Sequence, residues 1–459
     1  MDTAATGTAQ DFQSFLQQYG ATHGDDVLTV DAPVSADQDI TAVVHTLTLQ
    51  GRQPLTLFRN VEGLGVPVAT NVFSSRERVA RMLGTDLGGI HRVYQERSRN
   101  LLQPRELESG PVCEVVQQDG FDLAELPLIT HFETDRAPYI TNGILVAEGD
   151  DSGAGNLSYH RSMLHSATEI ATSLHSRGDL WRLLNRAAEH GRPLPVAMVV
   201  GAHPLFMLAA SARVPHDVDE RELAGGLLGE RLDVVRTPRY GIRVPAGAEI
   251  VLEGVIDPEA SVEEGPFGEF TGYSSNRSTN NLLRVETVMR RHTPMLVDIV
   301  GGNSAEHLNL ARIPRESEMV EKLMQRFPSV IRLHYPNSGT HFHAYVAVKQ
   351  ARQGEARQVM LGLLGWDPYL KTVIAVDEDV DVTRDEEVLW AMATHLQPHR
   401  DVLMVDGLPG SALDPSASGV GTTSRMGLDA TRGPDFHGVR ARISDRALAR
   451  AAEILGQSQ

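Results

Sequence analysis

Two carboxylates stand five residues apart in a stretch of this chain that glycine and proline keep out of a helix. The stretch reads Glu264-Gly-Pro-Phe-Gly-Glu269. Gly265, Pro266 and Gly268 favour a tight, specific backbone path, so we expect the two acids to belong to a shaped loop. Carboxylates held in different surroundings take different pKa values, and such a pair supplies both an ion-pairing anion and a proton donor near neutral pH. By spacing alone, a glycine-rich β-turn flanked by surface acids is the commoner explanation.

A second polar segment, Asn156-Leu-Ser-Tyr-His-Arg161, alternates like a β-strand. In a strand, every second side chain shares a face. One face would carry Asn156, Ser158 and His160, and the other Leu157, Tyr159 and Arg161. The alternation separates Asn156 from Arg161. Both act at one site only if a bulge, or the edge of a cofactor lying along the strand, brings them together.

Three side chains in this part of the chain suit a hard divalent cation. Asn156 offers an amide oxygen, His175 precedes a predicted helix from residue 177, and Glu230 closes a predicted helix at residues 220–228. One amide oxygen, one imidazole and one carboxylate suit Mg²⁺ or Mn²⁺ better than Zn²⁺, if a phosphate or waters complete the shell. Spacing alone does not single out this trio, because the chain contains 18 histidines and 60 acidic residues.

The elements that would position these residues fall into three parts. Residues 1–110 combine short amphipathic helices with strand-like runs and predict a small α/β portion. Residues 111–302 change to apolar, β-branched runs with two helices and predict mostly sheet. Residues 303–459 alternate helices and strands as in an α/β layer, with a mobile tail rich in Gly, Ser and Pro at residues 409–421. A chain of 459 residues exceeds what one core usually supports, so two or three domains are expected.

The composition excludes several classes of partner. The formal net charge of −18 repels nucleic acid and anionic membrane surfaces, so we expect neither as a partner. Cys113 is the only cysteine, which excludes an intramolecular disulfide and a thiolate zinc cluster. The first residues lack a basic region followed by an apolar core, and no apolar run reaches about 18 residues. We therefore expect a cytoplasmic protein.

In their residue types and their order along the chain, these motifs resemble those of the UbiD-like decarboxylases. These enzymes are non-oxidative lyases that use prenylated FMN. The resemblance covers about residues 75–435. The residues that carry it are Asn156 with Arg161, His175, Leu227-Leu-Gly-Glu230, Glu264-Gly-Pro-Phe-Gly-Glu269, Lys371 and Arg425-Met-Gly-Leu-Asp-Ala-Thr431. A chance match to the Glu-Gly-Pro-Phe-Gly-Glu string, together with all the others in order, is improbable.

The resemblance implies a cofactor site. Asn156, His175 and Glu230 would hold a Mn²⁺ (or Mg²⁺) ion that bridges to the phosphate of the prenylated flavin, with a K⁺ ion nearby. Lys371 would contact the same phosphate as a point charge, whereas without the resemblance it would be a surface lysine at the start of a strand. The cofactor would also be lined by Ser158, Tyr159, His160 and Leu174, with Ser158 and Leu174 contributing backbone contacts.

The same resemblance implies the reaction. Loss of CO2 from an sp² carbon leaves a carbanion that no side chain delocalises, so a covalent adduct of the substrate with prenylated flavin would supply the electron sink. Arg161 would receive the substrate carboxylate beside the modified ring, Glu264 would hold Arg161, and Glu269 would deliver the proton that replaces CO2. The expected activity is the reversible, non-oxidative decarboxylation of a conjugated carboxylic acid. Two alternatives are an FMN-dependent oxidoreductase and a non-catalytic flavin-binding assembly subunit.

The substrate is indicated less directly. The resemblance implies an aromatic, heteroaromatic or acrylic-type acid, with His307 and Arg315 flanking its pocket. Because these two residues could bind a second polar group, we favour a heteroaromatic acid of the furan, pyrrole or indole kind. The alternative is that Arg315 opens the following helix and His307 packs at a domain seam. His341 and His343 would share a strand face, as in a metal site, but a core or surface role is favoured because no third ligand is evident.

The architecture implied is α+β. An N-terminal α/β portion would precede a central split β-barrel of the flavin reductase type, which binds the cofactor, and a C-terminal α/β domain would form a homodimer. Nothing indicates that the chain makes its own cofactor, so a flavin prenyltransferase is the expected supplier.

Overall fold

The computed structural model describes residues 9–126, 128–149, 154–174, 178–349, 352–417 and 421–456. The predicted metal ligand His175 lies outside the described residues, and so do residues 418–420 of the predicted tail. In the described part of the chain, no helix combines the length and apolarity needed to cross a bilayer.

The N-terminal part is a small α/β unit. Its elements are α1 (Phe12–Thr22), β1 (Val27–Val30), α2 (Asp39–Leu49), β2 (Leu55–Phe58), β3 (Val68–Thr70), α3 (Arg76–Met82), α4 (Ile90–Ser98) and β4 (Arg105–Glu106). Helix α3 begins after Ser75, whose side chain accepts a hydrogen bond from the backbone N–H of Arg78. Helix α3 is thus one of the short amphipathic helices predicted for this part of the chain.

The central part is mostly sheet, as predicted. Its strands and helices are β5 (Val115–Gln117), β6 (Tyr139–Ile140), β7 (Gly143–Ala147), β8 (Asn156–Tyr159), β9 (Ser162–Leu164), β10 (Glu169–Thr172), α5 (Asp179–Glu189), β11 (Leu194–Val200), α6 (Pro204–Ala209), α7 (Glu220–Leu228), β12 (Asp233–Arg236), β13 (Arg243–Pro245), β14 (Ile250–Ser261), β15 (Phe267–Gly268), β16 (Ser274–Ser275), β17 (Asn281–Arg290) and β18 (Leu296–Val297). Strand β18 pairs with β3, so the central part completes the N-terminal sheet.

Most of these strands form one nine-stranded antiparallel sheet that curls back on itself. Its order is β6-β9-β10-β17-β14-β11-β7-β8, and β5 also pairs with β17. Only Thr141 and Asn142 separate β6 from β7, and only His160 and Arg161 separate β8 from β9. At one end of the sheet β6 pairs with β9, and at the other end β7 pairs with β8. The same two chain segments, each with a bend in the middle, therefore form both ends of the sheet. The α+β class is confirmed, while the likeness to flavin reductases stays a prediction.

Both faces of this sheet are covered by apolar side chains. Along β7, Ile144 and Val146 pack into one core cluster, which also contains residues of α6 and α7. Leu145 and Ala147 alternate with them and pack into a second cluster, which contains residues of α5. Because every second residue of a strand points to the same face, a strand buried on both sides reads as a continuous apolar run.

The C-terminal part is an α/β layer. Its elements are α8 (Ala305–Arg326), β19 (Val330–His334), β20 (His343–Val348), α9 (Glu355–Trp366), β21 (Thr372–Asp377), α10 (Asp385–His395), α11 (Pro398–Asp401), β22 (Val402–Pro409), β23 (Thr422–Ala430) and α12 (Asp445–Gly456). The sheet has the order β19-β20-β21-β23-β22, with β20, β21 and β23 parallel. The domain bounds taken from the sequence stay predictions.

Candidate active site

Arg161 links the two carboxylates that the sequence singled out. It lies in the bend between β8 and β9, where the strict alternation of a strand is interrupted. Its Nε and Nη2 donate to Oε2 of Glu264 at 3.1 and 2.8 Å, and its Nη1 donates to Oε1 of Glu269. The guanidinium also lies 5.3 Å from the centre of the Phe267 ring. The structure thus brings together the three predicted catalytic residues in one ion-pair network.

The two carboxylates differ in their surroundings. The Glu264 side chain has no exposed surface, and its Oε1 accepts a hydrogen bond of 2.9 Å from the hydroxyl of Tyr139. Glu269 keeps 11% of its side chain exposed. Burial raises the pKa of Glu269 to about 7, with Arg161 opposing and Glu264 adding to the rise. Glu269 can therefore hold a proton near neutral pH, while both oxygens of Glu264 are engaged in hydrogen bonds.

The loop that carries both acids is fastened at several backbone positions. Gly265 has φ +102°, a conformation that a residue with a Cβ rarely adopts. Strand β15 pairs with β16, and the N–H of Glu269 donates to the carbonyl of Tyr273 at 3.0 Å. The N–H of Gly268 donates to Oδ1 of Asp135 at 3.2 Å. The alternative of a turn flanked by surface acids is wrong, because the fold buries both carboxylates.

The predicted face of Asn156, Ser158 and His160 is confirmed. The Ser158 hydroxyl lies 2.8 Å from Oδ1 of Asn156 and 2.8 Å from Nε2 of His160. The Tyr159 hydroxyl donates instead to the carbonyl of Met207 at 3.1 Å, on the opposite side of β8. Asn156 and His160 are buried, so this side of the strand offers polar groups in an enclosed position.

A carboxylate that the sequence analysis missed lies beside Asn156. Nδ2 of Asn156 donates to Oε1 of Glu220 at 3.2 Å, and the N–H of Leu157 donates to Oε2 at 3.0 Å. Burial raises the pKa of Glu220 to about 7. Glu220 is the first residue of α7, which follows the N-cap Asp219, and the pattern of an acid after an N-cap was the available signal.

The predicted metal ligand Glu230 is not the carboxylate that contacts Asn156. It follows the other end of α7, roughly 15 Å from Glu220 along an axis that rises about 1.5 Å per residue. The helix brings its first residue, not the residue after its last turn, to Asn156. Glu220 is therefore the carboxylate that contacts Asn156, while metal binding by either glutamate stays a prediction. His175, the third predicted ligand, lies outside the described residues.

The buried oxygens of Asn156 and Glu220 fit a hard cation. Amide and carboxylate oxygens are donors that Mn²⁺ and Mg²⁺ accept. Within the described ranges, the hydrogen-bond partners of the Glu220 carboxylate are an amide and a backbone N–H, and no cationic side chain is among them. A buried carboxylate whose partners are all neutral is stabilised by a bound cation, because the cation supplies the missing counter-charge.

Two further predicted cofactor residues have protein partners in this structure. Nζ of Lys371 lies 2.7 Å from Oδ2 of Asp414 and 2.7 Å from the hydroxyl of Ser416. The backbone N–H and carbonyl of Leu174 both bond the Thr279 hydroxyl, at 2.7 and 3.1 Å. Contacts of Lys371 and Leu174 with a cofactor stay predictions.

His307 and Arg315 both lie on α8. His307 stands in its first turn and bonds the carbonyl of Gly302 through Nδ1 at 2.9 Å. Arg315 lies in the middle of the helix, so the alternative that it opens a helix is wrong. Nε of Arg315 pairs with Asp367 at 3.2 Å, and Nη2 lies 3.4 Å from Nδ1 of His341.

His341 connects Arg315 to the loop that carries Glu269. Its ring centre lies 4.5 Å from that of Phe270, the residue after Glu269. Burial, followed by the charge of Arg315, lowers the pKa of His341 well below its usual value, so the imidazole is neutral. His343 is the first residue of β20, whereas His341 precedes this strand. Over the described ranges, no group of three His, Cys, Asp or Glu side chains is arranged to hold a metal ion.

The chain matches three domains described for one family along most of its length. Residues 22–97, 105–304 and 308–430 match the N-terminal, Rift-related and C-terminal domains of 3-octaprenyl-4-hydroxybenzoate carboxy-lyase. The chain is 34% identical over 425 residues to the anhydromevalonate phosphate decarboxylase of Aeropyrum pernix, and the match covers 92% of each protein.

Solved structures show the same fold. The UbiD-class enzyme HmfF from Pelotomaculum thermopropionicum in complex with FMN superposes with a TM-score of 0.89 at 32% identity, covering 95% of this chain and 99% of that chain. An evolved dimeric form of HmfF in complex with prenylated FMN has a TM-score of 0.86 at 30% identity, covering 96% and 98%. With the domains matched and the fold shared throughout, this chain belongs to the UbiD family of carboxy-lyases.

Proposed function

We propose that this chain decarboxylates an acrylic-type acid that carries a phosphate group, with Glu269 as the proton donor. The relative from Aeropyrum pernix is named for a phosphorylated acid formed by loss of water, and loss of water from a hydroxy acid leaves a carbon–carbon double bond. This relative does not support the heteroaromatic acid that we favoured from the sequence. Of the acids considered there, the acrylic type is the one that agrees with it.

The observation that carries the proposal is that one arginine, Arg161, binds two carboxylates with different hydrogen-bond partners. Glu264 takes two N–H groups of Arg161 and the hydroxyl of Tyr139, whereas Glu269 takes one N–H of Arg161. Glu269 is the carboxyl whose pKa lies near neutrality, at about 7. A general acid works best when its pKa is near the working pH, so Glu269 suits delivery of the proton that replaces CO2.

Arg161 retains capacity to bind a substrate carboxylate. A guanidinium has five N–H donors. Arg161 uses Nε and one N–H of Nη2 on Glu264, the other N–H of Nη2 on the carbonyl of Arg277, and one N–H of Nη1 on Glu269. The second N–H of Nη1 has no partner within the described ranges. A carboxylate bound there would lie beside Glu269, where the proton is needed after CO2 departs.

A prenylated FMN would supply the electron sink for the charge left when CO2 departs. Asn156 and Glu220, completed by His175, are the residues proposed to hold the divalent ion that fastens its phosphate. Ser158 would orient the Asn156 amide, because its hydroxyl lies against Oδ1 of that residue. The identity of the ion as Mn²⁺, the K⁺ ion, the flavin prenyltransferase, the homodimer and the cytoplasmic location stay predictions.

The phosphate of the substrate is assigned to the cationic residues of α8. Arg315 lies against His341, which packs on Phe270 beside Glu269. Arg312 is fully buried one turn earlier, and its Nε and Nη2 have no partner in the described part of the chain. His307 lies on the same helix, but burial lowers the pKa of its imidazole and its Nδ1 donates to the carbonyl of Gly302, so the two arginines are the cationic groups here. Clustered guanidinium groups are suited to bidentate recognition of phosphate.

A panel of four acids tests the proposal on enzyme loaded with prenylated FMN. The panel contains a phosphorylated acrylic-type acid, the same acid without phosphate, the saturated phosphorylated acid and furan-2-carboxylic acid. We expect CO2 release to be fastest from the first acid, slower from the second and absent from the saturated acid. Faster release from the furan acid than from the phosphorylated one would contradict the proposed substrate class.

The two alternative functions gain no support. A non-catalytic assembly subunit has no need for a proton donor beside an arginine, and relatives of this chain are named as decarboxylases rather than as oxidoreductases.

A further inference from the structure

Tyr139 closes the hydrogen-bond shell of Glu264. It is the first residue of β6, is 1% exposed, and donates its hydroxyl to Oε1 of Glu264 at 2.9 Å. Its ring packs against Phe267, the residue over which the Arg161 guanidinium lies, with ring centres 4.7 Å apart. Tyr139 therefore touches both the carboxylate that holds Arg161 and the ring on which Arg161 rests.

Both oxygens of Glu264 are engaged, and from different directions. Oε1 accepts from Tyr139, and Oε2 accepts from Nε and Nη2 of Arg161. A carboxylate held at both oxygens cannot rotate, so it fixes the plane of the guanidinium that it binds. Glu269 differs, because within the described ranges only its Oε1 has a hydrogen-bond partner. The free Oε2 of Glu269 is then the oxygen able to carry and deliver a proton.

We propose that Tyr139 is a positioning residue for decarboxylation, which fixes the orientation of the Glu264 carboxylate and through it the position of Arg161 beside Glu269. The inference rests on the proposed function, because it assigns Tyr139 a part in dividing the roles of the two carboxylates. Without the hydroxyl, Oε1 of Glu264 would lose its hydrogen-bond partner, and the carboxylate would hold Arg161 less firmly beside Glu269.

The charged and titratable groups around Glu264 make this role measurable. Arg161 and Glu269 face it from the β8–β9 bend and from its own loop, and Tyr139 faces it from β6. Asp135 is the acid that acts on Tyr139 besides Glu264, and its Oδ1 accepts a hydrogen bond from the N–H of Gly268. The Tyr139 hydroxyl has two partners, Oε1 of Glu264 at 2.9 Å and the carbonyl of Pro266 at 3.4 Å. Only the first of them titrates, so a shift in the pH profile on removal of the hydroxyl reports on the carboxylate.

The test compares Tyr139→Phe with Tyr240→Phe. Tyr240 is a matched control, because its hydroxyl donates to a glutamate, Glu286, at 2.6 Å in another part of the molecule. We expect Tyr139→Phe to lower kcat/KM about tenfold and to move the acid limb of its pH profile upward by about one pH unit. Tyr240→Phe should change neither quantity.

Two further variants separate a positioning role from a packing role. In a Glu264→Gln background, Tyr139→Phe should cost little, because the carboxylate through which it acts is already absent. Incorporation of 3,5-difluorotyrosine at position 139 keeps the packing and strengthens the donor, so the acid limb should move to lower pH. The inference is overturned if Tyr139→Phe leaves the acid limb in place, or if it costs as much in Glu264→Gln as in the wild type.

Failure of this inference is distinguishable from failure of the proposed function. If Glu269→Gln turns over like the wild type, the proposed function is wrong whatever Tyr139 does. If Glu269→Gln stalls while Tyr139→Phe behaves like Tyr240→Phe, only the role of Tyr139 is wrong.

Discussion

Glu220 and Glu269 are both buried carboxyls whose pKa values are raised to about 7, but different groups stand opposite them. Glu269 faces the guanidinium of Arg161. Glu220 faces the amide of Asn156 and the N–H of Leu157, with no cationic side chain bonded to it in the described part of the chain. The protein therefore supplies the counter-charge at one carboxylate and leaves it to be supplied at the other.

This difference separates two kinds of chemistry. A carboxyl beside a fixed cation, with one oxygen free, is placed to exchange a proton without losing its position. A carboxyl beside neutral donors is placed to receive a cation, because binding offsets the cost of keeping a buried anion. The first region is thus suited to catalysis and the second to holding a cofactor through its metal ion.

The largest expected effect follows from removing the shared cation. Arg161→Gln leaves Glu264 and Glu269 buried without a counter-charge, where their side chains are 0% and 11% exposed. We expect the free energy of unfolding to fall by about 3–5 kcal/mol and kcat to fall about 100-fold. Denaturant unfolding and CO2 release measure the two effects.

Arg136→Gln is the control for this prediction. Arg136 pairs with Glu263 next to the same loop, but their side chains are 45% and 75% exposed. An exposed pair contributes less than about 1 kcal/mol. Equal losses of stability in Arg136→Gln and Arg161→Gln would show that burial of the Arg161 network has no energetic consequence.

The second prediction concerns the metal region and decides between two glutamates. Glu220→Gln should weaken Mn²⁺ binding roughly 10- to 100-fold, because it removes the charge beside Asn156. Glu230→Gln should leave the affinity unchanged, because it stands at the other end of α7. Electron paramagnetic resonance of free Mn²⁺ during titration measures both. The reverse ranking would restore Glu230 as the ligand.

The third prediction concerns substrate choice at α8. Arg315→Gln should lower kcat/KM for the phosphorylated acrylic-type acid about tenfold, with little change for the acid without phosphate. Competition between the two acids, followed by mass spectrometry of the products, measures the preference. Arg326→Gln, near the end of the same helix, is the control. A uniform loss on both acids would assign Arg315 a role in stability rather than in recognition.

The smallest expected effect is the pH dependence of the wild type. The pKa of Glu269 is raised to about 7 from the usual 4.5, so the carboxyl stays protonated up to near neutral pH. Its proton is lost as the pH rises through that value, and kcat/KM should be half of its maximum near pH 7. A profile that stays flat to pH 9 would show that Glu269 is not the acid.

Local patterns predicted the parts of the site that lie close together in sequence. The helix at residues 220–228 was predicted with the bounds of α7. The alternation that placed Asn156, Ser158 and His160 on one face is confirmed by the hydrogen bonds of Ser158. Gly265 and its neighbours correctly indicated a shaped loop rather than a helix.

These local patterns could not predict contacts between distant segments of the chain. The bond between Tyr139 and Glu264 joins residues 125 positions apart, and no spacing rule indicates it. The contact of Glu220 with Asn156 was not predicted, because periodicity locates a helix but does not tell which end meets a strand. Arg161 does not follow the alternation predicted for its strand, because β8 ends at Tyr159 and the bend changes the direction of the following side chains.

The role of Glu269 is tested most directly by reaction of Glu269→Gln in D2O with the phosphorylated acrylic-type acid, with CO2 release and deuterium in the product measured together. We expect the wild type to release CO2 continuously and to place one deuterium on the carbon that carried the carboxylate. We expect the variant to release at most one CO2 per active site and to form almost no deuterated product. Continuous turnover by the variant, with deuterium incorporated at the wild-type rate, would show that the proton comes from another group.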